Sequence, residues 1–180
     1  MLAGREDDAT DPITILEMRS MADYPPGLVG VVAGLFGRTV AASHGTDWTV
    51  DAMIAEGQCE FFRRFDPERD RVWVAMMRGV PHGALTIDGP RPEAGRDAAR
   101  LRFFVLDEAT RGRGLGRRMV ALAMAFCRER AYPRVFLTTL PGLDAARRLY
   151  EECGFRLLLQ SDPPFCGSPF GEQTFEWPAT

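Results

Sequence analysis

The sequence contains no lysine and no asparagine, and all 22 of its basic residues are arginines. A phosphate-binding P-loop needs its lysine and a Schiff-base mechanism needs a lysine amine, so both are excluded. The chain also has no lysine of its own to modify. Cysteine and histidine are scarce, at 4 and 2 residues. Cys59, Cys127, Cys153 and Cys166 form no C-x-x-C pair, and with only His44 and His82 no zinc spacing arises. The expectation is reduced, mostly buried thiols and no metal. Apolar runs never approach the ~18 residues of a membrane span. Residues 1–10 are polar and acidic, without the apolar centre of a signal peptide. Together these absences predict a cytoplasmic protein with no membrane partner. The net charge of −3 speaks against sequence-independent nucleic-acid binding, which draws its affinity from a basic face.

What is present is an ordinary globular composition, 46% hydrophobic and 26% charged over 180 residues. That length suits one domain able to bury roughly 70% of its unfolded surface. Residues 1–11 read as a flexible segment and residues 12–180 as the domain. A strand over Ile13–Met18 is broken by Tyr24-Pro25-Pro26-Gly27, and helical spacing follows over Leu28–Ala42 and Trp48–Phe65. In the second helix Trp48, Met53, Ile54, Phe61, Phe62 and Phe65 fall near one face. Asp47 or Thr49 would cap it and Asp66-Pro67 would stop it. Strands are predicted over Arg71–Met77 and Ala84–Ile87, with a turn over Gly79–Gly83 that includes His82. A surface loop over Asp88–Asp97 leads to a strand at Ala99–Leu106. The helix Arg113–Arg130 carries a stripe of Leu115, Met119, Leu122, Ala123 and Phe126. Then come a strand at Arg134–Thr139, a helix at Asp144–Glu152 closed by Gly154, and strands at Phe155–Gln160 and Gln173–Trp177. This order predicts an α+β fold, a mixed sheet with helices packed on it.

The sharpest feature is Arg111-Gly112-Arg113-Gly114-Leu115-Gly116, set between a strand and the clearest helix. Glycines there permit a tight turn and close approach of a ligand to the backbone. The first helical turn leaves N–H groups unpaired beside the positive end of the helix dipole, where a pyrophosphate fits. Arg111, Arg113, Arg117 and Arg118 crowd a helix start, where cations cost ~0.3–1 kcal/mol each unless a polyanion is bound. The alternative, read alone, is a plain turn on an arginine-rich surface. The dinucleotide fingerprint G-x-G-x-x-G fails, because Arg117 stands where its third glycine belongs.

The run Leu101-Arg102-Phe103-Phe104-Val105, followed by Arg111 to Gly116, resembles motif A of the GCN5-related N-acetyltransferases. That signature is Arg/Gln-x-x-Gly-x-Gly/Ala after a strand. Ala145-Ala146-Arg147-Arg148-Leu149-Tyr150-Glu151-Glu152-Cys153-Gly154-Phe155 resembles the family's second hallmark, ending in Tyr and then Gly-Phe. The likeness runs from about Ile13 to Trp177. From Gly45-Thr46-Asp47-Trp48 to Phe65-Asp66-Pro67 the chain looks most like acetyltransferase modules fused to winged-helix regulators.

The resemblance implies a mostly antiparallel sheet of about seven strands with helices on both faces. It implies acetyl-CoA as co-substrate, its pyrophosphate on the backbone of Arg111, Gly112, Arg113, Gly114, Leu115 and Gly116 and on the helix start at Arg117. The pantetheine arm would lie along the backbone of Phe103, Phe104 and Val105, its thioester entering a gap beside Arg134–Thr139. The Val105 N–H would donate to the oxyanion, and Tyr150 would be the general acid. The activity implied is acetyl transfer to a primary amine of a small molecule or peptide, by direct attack in a ternary complex.

Other readings stay open on the residues alone. Ala146, Leu149, Tyr150 and Cys153 follow i, i+3, i+4, i+7, so the Tyr150 ring could be core. Glu60, His82, Asp107 and Glu108 are all conceivable bases. Many family members carry an asparagine before the final helix, where this chain offers Leu140 and Leu143. That departure leaves room for a non-catalytic acyl-CoA sensor or docking module, and the likeness to regulator-fused modules leaves room for a structural partner of a regulator. Trp48, Phe61, Phe62, Phe165, Phe170 and Trp177 would line an acceptor pocket or, for most of them, the core. Exposed sheet edges are compatible with a homodimer.

Overall fold

The computed structural model describes residues 12–162 and 171–178. Phe165, Phe170 and Cys166 therefore lie outside the described residues. The elements run β1 (Thr14–Met18), α1 (Leu28–His44), α2 (Thr49–Arg63), β2 (Arg71–Met77), β3 (Val80–Asp88) and β4 (Ala99–Leu106). They continue with α3 (Leu115–Glu129), β5 (Arg134–Thr139), α4 (Asp144–Glu152), β6 (Arg156–Gln160) and β7 (Gln173–Pro178). The seven strands form one sheet in the order β1-β2-β3-β4-β5-β7-β6. Every neighbouring pair is antiparallel except β4–β5. This is the expected α+β architecture.

Alternation along the strands divides the core in two. Trp73, Leu85, Leu101, Val135, Leu137 and Phe175 pack with α3 and α4 on one face. Val72, Val74, Ala84, Phe103 and Val105 pack with α1 and α2 on the other. No residue of β5, β6 or β7 belongs to that second cluster. The α1/α2 face of the C-terminal half of the sheet is therefore left uncovered by this core. At the far edge, all five residues of β6 are exposed.

Several local expectations are corrected. The β2–β3 turn is the two-residue Arg78-Gly79, with φ of 51° and 77°, the left-handed pair that suits a tight hairpin. Pro81, His82 and Gly83 lie inside β3, not in the turn. Pro81 is tolerated there because the ladder slips between Val74 and Met76 directly opposite. Helix α2 begins at Thr49, where Asp47 Oδ1 accepts from the Thr49 N–H at 3.0 Å, while Trp48 occupies the cap position. Trp48 and Met53 are exposed rather than core, and Leu122 of α3 is exposed as well. Phe61 and Trp177 are buried as expected, with Phe62 packed at the edge of the α1/α2 cluster. Of the described thiols only Cys127 is buried; Cys59 and Cys153 are partly exposed.

The connection Asp88–Asp97 is pinned rather than free. Buried Arg91 donates to Asp70 Oδ2 at 2.6 Å and to Asp88 Oδ1 at 2.9 Å. Asp88 also accepts a two-pronged pair from Arg64 at 2.9 and 2.7 Å, and a bond from Arg102 at 3.1 Å. Burial alone would raise the Asp88 carboxyl, but the guanidiniums of Arg64 and Arg102 outweigh it and hold the group below its ordinary range.

Candidate active site

β4 is not a regular strand. Its pairing with β3 passes from Ala84↔Val105 to Thr86↔Arg102, so β4 contains one residue more than β3 over this stretch. The extra residue forms a bulge at Phe103, whose φ is +52°. A non-glycine residue held in the left-handed region costs roughly 1–2 kcal/mol. The bulge breaks the in–out alternation. Arg102 and Phe103 both face α2, where each side chain comes within 3.4 Å of the Cβ position at Gly57. The tight fit leaves little space for a larger residue at 57.

Beside the bulge the sheet opens. β4 and β5 share only the register pairs Ala99↔Val135 and Arg100↔Phe136, although the strands continue to Leu106 and Thr139. Backbone groups of Phe103, Phe104 and Val105 lie along this wedge. Nothing in the residue pattern marks the bulge, since a glycine would signal such a position and a phenylalanine does not.

At the open end of the wedge the chain passes through Asp107–Thr110 into the glycine turn. Gly112 and Gly114 have φ of +74° and +68°, and no atom lies within 4 Å of the Cβ position at either. Their role is conformational, on a side open to a ligand. Gly116 differs: its Cβ position lies 3.2 Å from Leu149 and 3.4 Å from Phe104, so it seats α3 against β4 and α4. Leu115 is buried in the core beneath. The N-terminus of α3 has no side-chain cap and no acidic residue in its first turn. Its leading N–H groups thus have no side-chain cap and no acidic residue of their own turn to offset the helix dipole. Arg111 pairs with Glu108 at 3.2 Å, and Arg117 with Glu152; both arginines are more than half exposed. Arg113 is exposed in the same turn.

Tyr150 lies buried on α4. Its ring packs on Phe104 of β4, on Phe155 and on Phe175, with centroids 6.0–6.2 Å apart. Burial pushes its hydroxyl well above the ordinary tyrosine value, so the group stays a neutral proton donor. The ring is thus a core residue by packing and lies one contact from β4. The four acid–base candidates do not gather around it. Glu60 is bound to Arg64 at 2.6 Å and is held low by that bond. Asp107 accepts from the Ala109 N–H and Glu108 serves Arg111. His82 lies in β3, its carbonyl accepting from the Asp107 N–H at 2.8 Å. The loop that lacks the family asparagine is tied down differently, by His44 Nε2 donating to the Pro141 carbonyl at 3.0 Å.

Among the described residues no group of three or more metal-ligating side chains occurs, and no helix is long and apolar enough to cross a membrane.

This arrangement can be set against known proteins. Residues 39–155 match the sequence profile of the Acetyltransferase (GNAT) family. The uncharacterized N-acetyltransferase YjgM of Escherichia coli is 28% identical over 119 residues, 66% of this chain and 71% of that protein. An acetyltransferase from Streptococcus agalactiae shares the fold with a TM-score of 0.67 at 19% identity, over 93% of this chain and 98% of that one. A GCN5-related N-acetyltransferase from Kribbella flavida matches equally, with a TM-score of 0.67, 18% identity and the same coverage of both chains. A Bacillus anthracis acetyltransferase solved with acetyl coenzyme A matches over 68% of each chain, at 19% identity and a TM-score of 0.54. The profile match spans well over half of the sequence, and by it this chain belongs to the GNAT family of N-acetyltransferases.

Proposed function

We propose that the chain transfers an acetyl group from acetyl-CoA to a primary amine of a small molecule or peptide, by direct attack in a ternary complex. The observation that carries this reading is the wedge between β4 and β5, which opens beside the uncapped, arginine-flanked start of α3. The pyrophosphate would meet the N–H groups of Gly112 to Arg117 and the charges of Arg111 and Arg113. The pantetheine arm would run along Val105, Phe104 and Phe103 as an added strand, bringing the thioester into the wedge.

In the transfer, a C–N bond forms between the neutral amine and the acetyl carbon, and the C–S bond breaks. The Val105 N–H would donate to the carbonyl oxygen as charge builds there. The sulfur leaves with the bonding pair, and Tyr150 would give it a proton as the C–S bond breaks. Solvent then restores that proton, and the nitrogen sheds its own to water. Holding both reactants in the wedge supplies much of the acceleration, up to ~7–11 kcal/mol for well-aligned groups.

Amine-dependent release of CoA is the test. Tyr150→Phe should lower turnover by ~10²-fold or more while leaving acetyl-CoA affinity intact. Equal turnover in the two proteins would remove Tyr150 from the chemistry. Acetyl-CoA binding without CoA release from any amine would instead favour the sensor reading.

A further inference from the structure

Arg100 and Arg102 stand two residues apart on β4, facing away from Leu101 and the α3 cluster. Their surroundings differ. Arg102 is bound to Asp88 at 3.1 Å and lies 3.9 Å from Glu60. Arg100 enters no ion pair among the described residues. Its guanidinium donates from Nη2 to Thr138 Oγ1 at 2.8 Å and sits 5.7 Å from the centre of the Phe136 ring. Its Nε is buried without any hydrogen-bond partner. Burial disfavours the charge, and Arg102 and Arg96 repel it further, against attraction from Glu172 and Asp88. Asp88 is already shared among Arg64, Arg91 and Arg102. A part-buried cation with an orphaned donor is incomplete in a way that an anion would repair.

Its position gives the anion a role. Arg100↔Phe136 is the last pair before β4 and β5 diverge, so Arg100 forms the closed end of the wedge. Phe136 and Thr138 alternate with Val135 and Leu137, which face α3. Arg100, Phe136 and Thr138 therefore lie on the face that α1 and α2 leave open beyond β4. Leaning toward Thr138 carries the guanidinium two strand residues into the wedge, about 7 Å, to within about one residue of the level of Phe103.

We infer that the acceptor amine also carries a carboxylate, as an amino acid does, and that Arg100 reads it. The inference rests on the acetyl-transfer reading for the place of the thioester. A carboxylate on the guanidinium would neutralise the cation, and a turn of the side chain would bring the orphaned Nε donor onto it. The amine, a short spacer away, would then stand at the level of the thioester beside Phe103. Arg100 is a specificity-determining residue on this account, and Thr138 its positioning partner.

The test measures binding to the CoA-loaded protein for each proteinogenic L-amino acid beside its carboxamide, which keeps the amine and lacks the charge. In the wild type at least one acid should bind about ten-fold or more tightly than its amide. Arg100→Gln should bring that ratio to about one, and Arg100→Lys, which keeps the charge but not the planar fork, should leave an intermediate ratio. Retained acetyl-CoA affinity in both variants shows that they fold. Acids and amides binding alike, no amino acid binding, or an unchanged ratio in Arg100→Gln would each overturn the inference. Because binding is read without turnover, failure of the acetyl-transfer reading shows separately, as acid-selective binding with no CoA released.

Discussion

Two arginine clusters in this molecule use the same side chain for opposite ends. Around Asp88, the guanidiniums of Arg64, Arg91 and Arg102 close on the buried carboxylates of Asp88 and Asp70. Around the glycine turn, Arg111, Arg113 and Arg117 stand exposed at a helix start whose own field is already positive. The first cluster is electrostatically complete and ties α2 to β3 and β4. In the second, Arg111 and Arg117 are paired only through exposed Glu108 and Glu152, and on the proposed function the turn gains from an added polyanion. Arginine count therefore says little in this lysine-free chain. Whether the pairing carboxylates are buried or exposed separates the arginines that hold the fold from those proposed to meet a ligand.

Breaking the closed cluster should have the largest effect. Asp88→Ala leaves three guanidiniums without their shared carboxylate, and removing one partner of a buried pair costs about 3–5 kcal/mol. At about 2–4 °C per kcal/mol for a chain this size, thermal unfolding should show a drop of several degrees or more. A Tm within a degree of wild type would mean that the network is not what holds this region together.

The pH dependence of stability follows in size. The Asp88 carboxyl is lowered in the folded state, so its contribution is complete above the ordinary aspartate value of ~3.9 and lost as pH falls through the lower folded value. Acid unfolding should accordingly begin below about pH 4 and should lose this component in Asp88→Ala. On the alkaline side, burial pushes the Cys127 thiol up to about 12. Its neutral form favours the fold below the unfolded value of ~8.5, and that advantage is lost as pH rises from there through 12, at about 1.4 kcal/mol per pH unit. Denaturant titrations across pH 3–11 check both limbs, and a flat alkaline limb would contradict the burial of Cys127.

Gly114→Ala sharpens the contrast from the open side, since φ is +68° there with nothing near the Cβ position. The expected loss is backbone strain alone, about 1 kcal/mol, measurable by urea unfolding. A larger loss would mean that the turn is packed rather than open.

How much of this was legible in the sequence depended on the physics that set each element. β2, β4, β5 and α4 begin and end where the residue pattern places them, because apolar periodicity and flanking breakers agree there. The β2–β3 turn was misplaced because Pro81 and Gly83 look like breakers, while Arg78, in a left-handed conformation, carries no such mark. Trp48 and Met53 fit the helical stripe yet are exposed, since periodicity gives the face and not how far the neighbouring layer extends. The glycine turn between β4 and α3 was readable from its own residues, and its reading as an anion site is the part that the proposed function carries forward. The bulge at Phe103, the Asp88 network and the unmatched charge of Arg100 were not readable, because each arises from residues far apart in sequence meeting across strands.

The central claim is that the open cluster binds the pyrophosphate of acetyl-CoA, and thermal unfolding with and without acetyl-CoA tests it most directly. Arg111→Ala combined with Arg113→Ala removes two exposed charges and should change the stability of the free protein by only ~0.5 kcal/mol or less. At ~100-fold over Kd, the ligand should stabilise the wild type by ~2.7 kcal/mol, a shift of several degrees. The account predicts that shift in the wild type and its loss in the double variant. The same shift in both proteins, or none in either, would contradict it.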